Sequence, residues 1–284
     1  MEQMYRFGPI SVCIRNLPDY PQWPFWRWKL DQFRIDGGAP DIIVDNCPSP
    51  TQPEGAPVWS DEGNHRQFFL QADGTVLWQQ TDPTTGGLLL QYAVRPDWST
   101  ITLLADHSAT VGMGAFESLT FLMYYAFLHR QVLTFHGVLM EANGRGFLLC
   151  ADSGVGKTTH ARMWRDHKNA LILNGDRAAC YQEKGQWFGF GTPWCGTSGE
   201  YINRSAPLQA VVLLRRGTEN RISPANGMSL LHHTVYPAWD QTATEVMLSL
   251  LDRFLTAVPV LQLECTPDVS AVDTLYEALE NLSL

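Results

Sequence analysis

The sequence predicts an α/β protein, with a mixed-sheet domain over about residues 111–284 behind a β-rich region over residues 1–110. Three observations carry this. RGFLLCA (145–151) is an apolar strand that runs into a glycine-rich turn and then a helix-compatible stretch, within ADSGVGKTTHARMW. Downstream, apolar segments of strand and helix length alternate to the end of the chain, as they do in α/β domains. Upstream, short apolar runs are separated by Gly, Pro and Asp, which reads as a series of strands.

In the first region IIV (42–44), FFL (68–70) and TVLW (75–78) are strand candidates, and Asp73-Gly74 between the last two is a hairpin turn. LLLQYAV (88–94) and STITLL (99–104) form a further pair through Arg95-Pro96-Asp97. NCPSPTQPEGAP (46–57) is proline-rich and expected to be an exposed loop. Trp23, Trp26 and Trp28 fall within six residues and are expected to form the aromatic core of a small β layer. A docking surface for peptide or acceptor is the alternative for them.

In the second region GAFESLTFLMYYAFLHRQ (114–131) is apolar on all sides, the pattern of a buried helix. LTFHGVLME (133–141) reads as a strand, Asn143-Gly144 as a turn, and 145–151 as the strand that meets the glycine-rich segment. Beyond it, ALIL, QWFGF and LQAVVLL are strands; ATEVMLSLLDRFLTAV (243–258) is an amphipathic helix, PVLQLEC (259–265) a strand, and VSAVDTLYEALENL (269–282) a terminal helix capped near Pro267-Asp268.

Composition narrows the function. Hydrophobic residues make up 45% of the chain and charged residues 17%, a globular balance. Lys and Arg total 20 against 29 Asp and Glu, a net charge of -9 that repels a phosphate backbone and argues against a nucleic-acid partner. It leaves room for one local basic pocket. Cys13, Cys47, Cys150, Cys180, Cys195 and Cys265 show no metal-type spacing and are expected as reduced thiols. With no basic-then-apolar leader and no apolar run near the ~20 residues a bilayer needs, the chain reads as cytoplasmic, without a membrane partner. Nothing in the sequence fixes an oligomeric state.

Residues 151–158 fit the phosphate-loop pattern, with Ala151, Gly156, Lys157 and Thr158 at its defining positions. Gly154 and Gly156 let the backbone turn so that successive N–H groups point inward at phosphate oxygens. Ser153, Gly154, Val155, Gly156, Lys157, Thr158 and Thr159 are therefore the expected nucleotide-binding residues. Lys157 supplies a positive charge for the β- and γ-phosphates, and the Thr158 hydroxyl joins a magnesium shell. The following helix aims its N-terminal dipole at the same anion. Asp176, at the tip of the ALIL strand, is a magnesium ligand or the group that activates a nucleophile, rather than a plain turn residue.

TFHGVLMEANGRGFLLCADSGVGKTTHARMW followed by LILNGDRAACY resembles the catalytic domain of HPr kinase/phosphorylase, of the phosphoenolpyruvate-carboxykinase type, over residues 133–182. The resemblance implies a P-loop kinase domain with a mixed sheet, and an ATP- and magnesium-dependent transfer of the γ-phosphoryl group to a hydroxyl. The acceptor expected is a Ser or Thr of a peptide or protein; a small hydroxylated molecule, hydrolysis of the nucleotide, or a nucleotide-sensing or peptide-binding module without turnover are alternatives. Lys157, Asp176 and His136 would be the catalytic residues, His136 lining the site near the transferred phosphate. Asp176 would be the base or metal ligand, and Thr158 and Asp176 would hold the metal. A hydrogen-bonded core histidine is the other reading of His136. Three features depart from the family: Gly175 replaces the first Asp of its Asp-Asp pair, Thr159 stands where a Glu is usual, and the Glu-x-Arg-Gly-x-Gly signature is not recognisable. These departures point to an acceptor other than HPr.

Between QWFGF and LQAVVLL, GTPWCGTSGEY is too rich in Gly and small polar residues for regular structure. It reads as an active-site loop that brings Trp194, Ser198 and Arg204 to the acceptor side, with a plain surface loop as the alternative. His232-His233 are adjacent, so on a helix they point apart, and no transition metal is expected there.

Overall fold

The computed structural model of the protein describes residues 2–17, 23–105 and 109–282. The chain divides into two compact units, Met1–Arg130 with Pro237–Gln241, and Gln131–Tyr236 with Thr242–Leu284. Among the described residues no helix is long and apolar enough to cross a membrane.

The first unit is built on a nine-stranded mixed sheet. Its strands are β1 (Glu2–Phe7), β2 (Ile10–Arg15), β3 (Arg34–Ile35), β4 (Ile42–Asn46), β5 (Trp59–Asp61), β6 (Arg66–Leu70), β7 (Val76–Thr81), β8 (Leu88–Val94) and β9 (Thr100–Ala105). They lie in the order β3-β1-β2-β4-β9-β8-β7-β6-β5, with β2, β4 and β9 parallel to one another. The β6–β7 hairpin turns at Asp73-Gly74, where Gly74 has φ +83° and the Asp73 carboxylate accepts the Thr75 N–H at 2.8 Å. The loop at 46–57 is mostly exposed and is tied down by two buried amides: Gln91 exchanges two 2.8 Å bonds with the Thr51 backbone, and Gln71 accepts the Glu54 N–H.

Two features of this unit differ from the sequence reading. The tryptophan-rich segment is a helix, α1 (Trp23–Leu30), and not part of a β layer. Trp26 is buried against Phe116 on its inner side, whereas Trp28 is 67% exposed with the Lys29 ammonium over its ring; the Trp23 side chain lies outside the described residues. The boundary between units falls after Arg130 and not at 110/111. The reason is the all-round apolar helix α2 (Ala109–Leu128), which packs with the first sheet: the Tyr92 hydroxyl donates to the Ala115 carbonyl, and Phe116 meets α1.

The second unit holds β10 (Val132–His136), β11 (Val138–Ala142), β12 (Arg145–Cys150), α3 (Lys157–Lys168), β13 (Leu171–Asn174), β14 (Arg177–Glu183), β15 (Gln186–Phe190), β16 (Ser205–Arg216), β17 (Arg221–Pro224), α4 (Gln241–Ala257), β18 (Val260–Cys265) and α5 (Ser270–Glu280). Its sheet runs β10-β14-β15-β16-β12-β11-β13, with β18 beside the C-terminal half of β16 and β17 beyond it. β12, β16 and β18 are parallel, and the remaining pairs are antiparallel. Asn143 and Gly144 both have positive φ, the conformation that joins β11 to β12 most tightly.

The segment expected as one strand over 133–141 is two. It breaks at Gly137, whose missing side chain leaves room for the neighbouring strand: a Cβ there would lie 2.8 Å from the Leu149 carbonyl and 2.9 Å from Cys150 Sγ. β10 then pairs with β14, and β11 with β12 and β13. The apolar stripe of α3 closes the core on one face. Trp164 is fully buried there, with its ring 4.6 Å from Phe147 and next to Tyr276 of α5.

Candidate functional site at the phosphate loop

The loop begins where β12 ends. Asp152 accepts the Val155 N–H, and Gly154 and Gly156 have φ of +80° and +122°, values an L-residue avoids. α3 starts at Lys157, and the His160 N–H to Gly156 carbonyl bond closes its first turn. The N–H groups of Lys157, Thr158 and Thr159 have no carbonyl within the helix to bond. They stand at the positive end of the helix dipole, where the loop meets the helix. Lys157 Nζ donates to the Ala151 carbonyl at 2.7 Å, so its charge is folded back over the loop. Arg216, at the end of β16, donates to the Gly154 carbonyl at 2.5 Å and braces the loop from its other side.

Asp176 reaches the same edge of the sheet through register. Leu139 of β11 is opposite Asn174 of β13, and Val138 is opposite Leu149 of β12, so the ends of β13 and β12 lie side by side across β11. Asn174 shapes the turn that follows. Its buried side-chain oxygen accepts the Asp176 and Arg177 N–H groups at 2.9 and 2.7 Å, an Asx-type turn. His136, at the end of β10, holds Asp176 Oδ1 from Nε2 at 3.2 Å, and the Asp176 carbonyl accepts the Gly137 N–H. Burial pushes the Asp176 carboxyl up, but the His136 hydrogen bond, Arg177 beside Oδ2, and the charge of Lys157 outweigh it and hold the carboxyl below its ordinary range. Asp176 is therefore an anion at neutral pH.

The segment 191–201 is fastened to this turn and is not a free surface loop. The Asn174 amide donates to the Thr192 and Trp194 carbonyls, Gly175 N–H donates to the Glu200 carbonyl, and Glu200 pairs with Arg165 of α3 at 2.7 Å. Gly196 lies over Asp176 so closely that a Cβ would stand 2.6 Å from its Oδ2. Ser198 occupies the space beside Gly175: a Cβ at 175 would come within 2.2 Å of Ser198 Oγ, which donates to the Cys195 carbonyl. The position that carries the first carboxylate in the resembling family is thus filled from the loop.

The acceptor-side expectations are corrected in two places. Trp194 is 2% exposed, with its ring in the interior, and presents no face to a ligand. Arg204 is paired with the buried Glu141, its Nη2 2.6 Å from Oε1, and Glu141 pairs with Gly146 at the start of β12. Arg204 therefore stands at the edge of the sheet opposite the loop. The apolar Pro-Trp-Cys stretch is drawn into the core, and the chain descends from there along the sheet before β16 begins. Ser198, by contrast, does lie beside the Asp176 turn.

Two cavities adjoin the loop. One, of about 760 Å³, is lined by Cys150 to Val155, the end of β16 with Arg215 and Arg216, and Ser229, His232 and His233. The other, of about 480 Å³, lies against α3 and is walled chiefly by Val155, His160, Met163, Leu214, Cys265 and Pro267. Sequence reasoning missed Asn174, Arg216 and His233. Asn174-Gly-Asp-Arg carried an Asx-turn signal, and Arg215-Arg216 marked the end of an apolar strand. His233 carried no local signal that it would line this cavity. Among the described residues no group of three or more His, Cys, Asp or Glu side chains is arranged to hold a metal.

No protein-family model matches the chain, and no curated protein matches it. Among solved structures, the chain is distantly similar to the HPr(Ser) kinase/phosphatase from Coxiella burnetii, with 12% identity over 52% of this chain and 99% of that one and a TM-score of 0.30. A likeness this loose leaves the site to be read from its own geometry.

Proposed function

We propose that the chain is an ATP-dependent phosphotransferase that moves the γ-phosphoryl group to a hydroxyl acceptor, with a Ser or Thr of a peptide or protein favoured. The observation that supports it best is the ionised Asp176, held by His136 at the sheet edge that carries the phosphate loop. Loop amides, Lys157 and the α3 dipole would bind the phosphates; Asp176 would meet the acceptor.

The donor set fits magnesium: Thr158 Oγ1 and the Asp176 carboxylate are hard oxygen ligands, and a magnesium ion takes one or two protein oxygens and completes its shell with phosphate and water. When bound, it neutralises charge that develops on the phosphate oxygens. Asp176 is better placed to orient the acceptor or hold the metal than to take up a full proton, because its depressed pKa makes it a weak base. Loose transition states for phosphoryl transfer ask little of a base. Lys157, freed from the Ala151 carbonyl, would follow the β- and γ-phosphates, and His136 would fix the Asp176 carboxylate. Cys13, Cys47, Cys150, Cys180 and Cys265 are thiols outside any disulfide, in keeping with a cytoplasmic enzyme.

Incubating the protein with magnesium, γ-labelled ATP and candidate peptides or proteins tests the reading. Label on an acceptor supports it. Free phosphate alone points to a hydrolase, and bound but unchanged nucleotide to a sensing module; either result overturns transfer.

A further inference from the structure

The segment 226–236 reaches the phosphate loop by tertiary pairing. Its short 3₁₀ helix, Gly227–His233, is capped by the Asn226 side chain on Met228 N–H and pinned by Leu230, which is fully buried. Gly227 has no room for a side chain, since a Cβ would meet Leu255 of α4 at 2.8 Å. Immediately after, Thr234 bridges Phe135 in antiparallel register, and Val235 N–H donates to the Thr134 carbonyl at 2.8 Å. That register sets His233 beside His136, the residue that holds Asp176.

His233 also lines the 760 Å³ cavity, together with the loop from Cys150 to Val155. Its half-buried imidazole feels the charges of Asp152 and Lys157 of the loop and the neighbouring imidazoles of His136 and His232. Burial, Lys157 and the other two imidazoles lower its pKa against the pull of Asp152, so it is neutral at pH 7 and carries a single ring N–H to donate. Lys157 and Asp176 mark the end of the loop where a γ-phosphate lies. The first-turn amides of α3 serve the inner phosphates, so a group set beside His136, the partner of Asp176, is positioned to meet the outermost one.

Resting on the nucleotide-binding reading above, we infer that His233 is a γ-phosphate contact: it closes the cavity over the transferable phosphoryl group and makes the site distinguish a nucleoside triphosphate from the diphosphate. No other residue of the 3₁₀ helix stands in register with His136.

The test measures dissociation constants for MgADP and for a non-hydrolysable MgATP analogue by calorimetry in three proteins: wild type, His233→Ala and His233→Gln. The wild type is expected to prefer the triphosphate analogue. His233→Ala should leave MgADP affinity within about twofold and weaken the analogue about tenfold, the loss of one hydrogen bond to a charged group. His233→Gln, which keeps a donor, should recover part of the preference. A merely structural role would weaken both ligands together, and that result, or an unchanged preference in His233→Ala, overturns the inference. If the wild type binds neither nucleotide, the phosphotransferase reading fails first and takes this one with it. Binding of MgADP with no triphosphate preference overturns the role of His233 alone.

Discussion

Single side chains in this protein are held by partners that can be removed one at a time. Asp176 is bonded to His136 and flanked by Arg177, and its low pKa keeps it charged. Asp176→Asn preserves its size and removes the charge. Nucleotide affinity is expected to change little, while phosphoryl transfer falls by about 10² or more, measured by label transfer under single-turnover conditions. Near-normal turnover would show that the carboxylate has been assigned wrongly. Gly175 offers a second test, because Ser198 fills the space where its side chain would start. Gly175→Asp alone should lower the melting temperature, and adding Ser198→Gly should recover part of that loss. Additive effects of the two changes would mean they do not share the space. His129 gives a pH signature in the first unit. It stacks on Trp98 at 5.4 Å, and its Nε2 is buried without a partner among the described residues. Burial and Arg130 lower its pKa against the pull of Asp240. The folded state therefore stays neutral where the unfolded chain takes up a proton, so stability falls as pH drops from about 6.5 through the folded pKa. His129→Phe keeps the stack and should flatten that slope in denaturant titrations between pH 7 and 5.

At the scale of elements, the site is a meeting of strand ends. β12 delivers the loop, β13 delivers Asp176, and β10 delivers His136, all at one edge of one sheet. The loop itself is a strand-to-helix turn whose glycines take positive φ and whose lysine is parked on the Ala151 carbonyl. Lys157→Ala should leave the apo protein folded, because the core beneath it rests on Phe147, Trp164 and Leu275 and not on this side chain. The nucleotide-induced rise in melting temperature should largely vanish. Asn174 does more for the fold. It is fully buried and joins the Asp176 turn to segment 191–201 through five hydrogen bonds, so Asn174→Ala leaves several backbone groups unpaired. A loss of about 1–3 kcal/mol is expected in chemical denaturation, the cost of buried polar groups without partners, along with weaker transfer.

For the whole molecule, the division into two units makes a prediction about where a ligand acts. MgADP at about 100 times its dissociation constant stabilises the binding unit by roughly 2.7 kcal/mol. Hydrogen exchange should show new protection in residues 150–160 and 174–177 of the second unit, with the strands β4, β8 and β9 of the first unit unchanged. Protection confined to the first unit would contradict the phosphate-loop site.

What the sequence determined by itself was local. The hairpins at Asp73-Gly74 and Asn143-Gly144, the β12–loop–α3 unit and the terminal helix follow from residues a few positions apart: glycines that allow positive φ, apolar periodicity, and an Asp268 carboxylate just before the last helix that accepts the Ser270 N–H. The same is true of the loop conformation in the candidate site, because its turn is made by consecutive residues with glycines at positive φ. Tertiary structure decided which separated strands lie side by side, and with that the other half. Trp194 and Arg204 are near Asp176 in sequence, yet one is drawn into the core and the other follows the chain down the sheet to Glu141. His233 is far from His136 in sequence and beside it in space, because a single antiparallel bridge at Phe135 and Thr234 sets their register. Strand register depends on burial summed over the whole sheet, and no short stretch of sequence contains that sum.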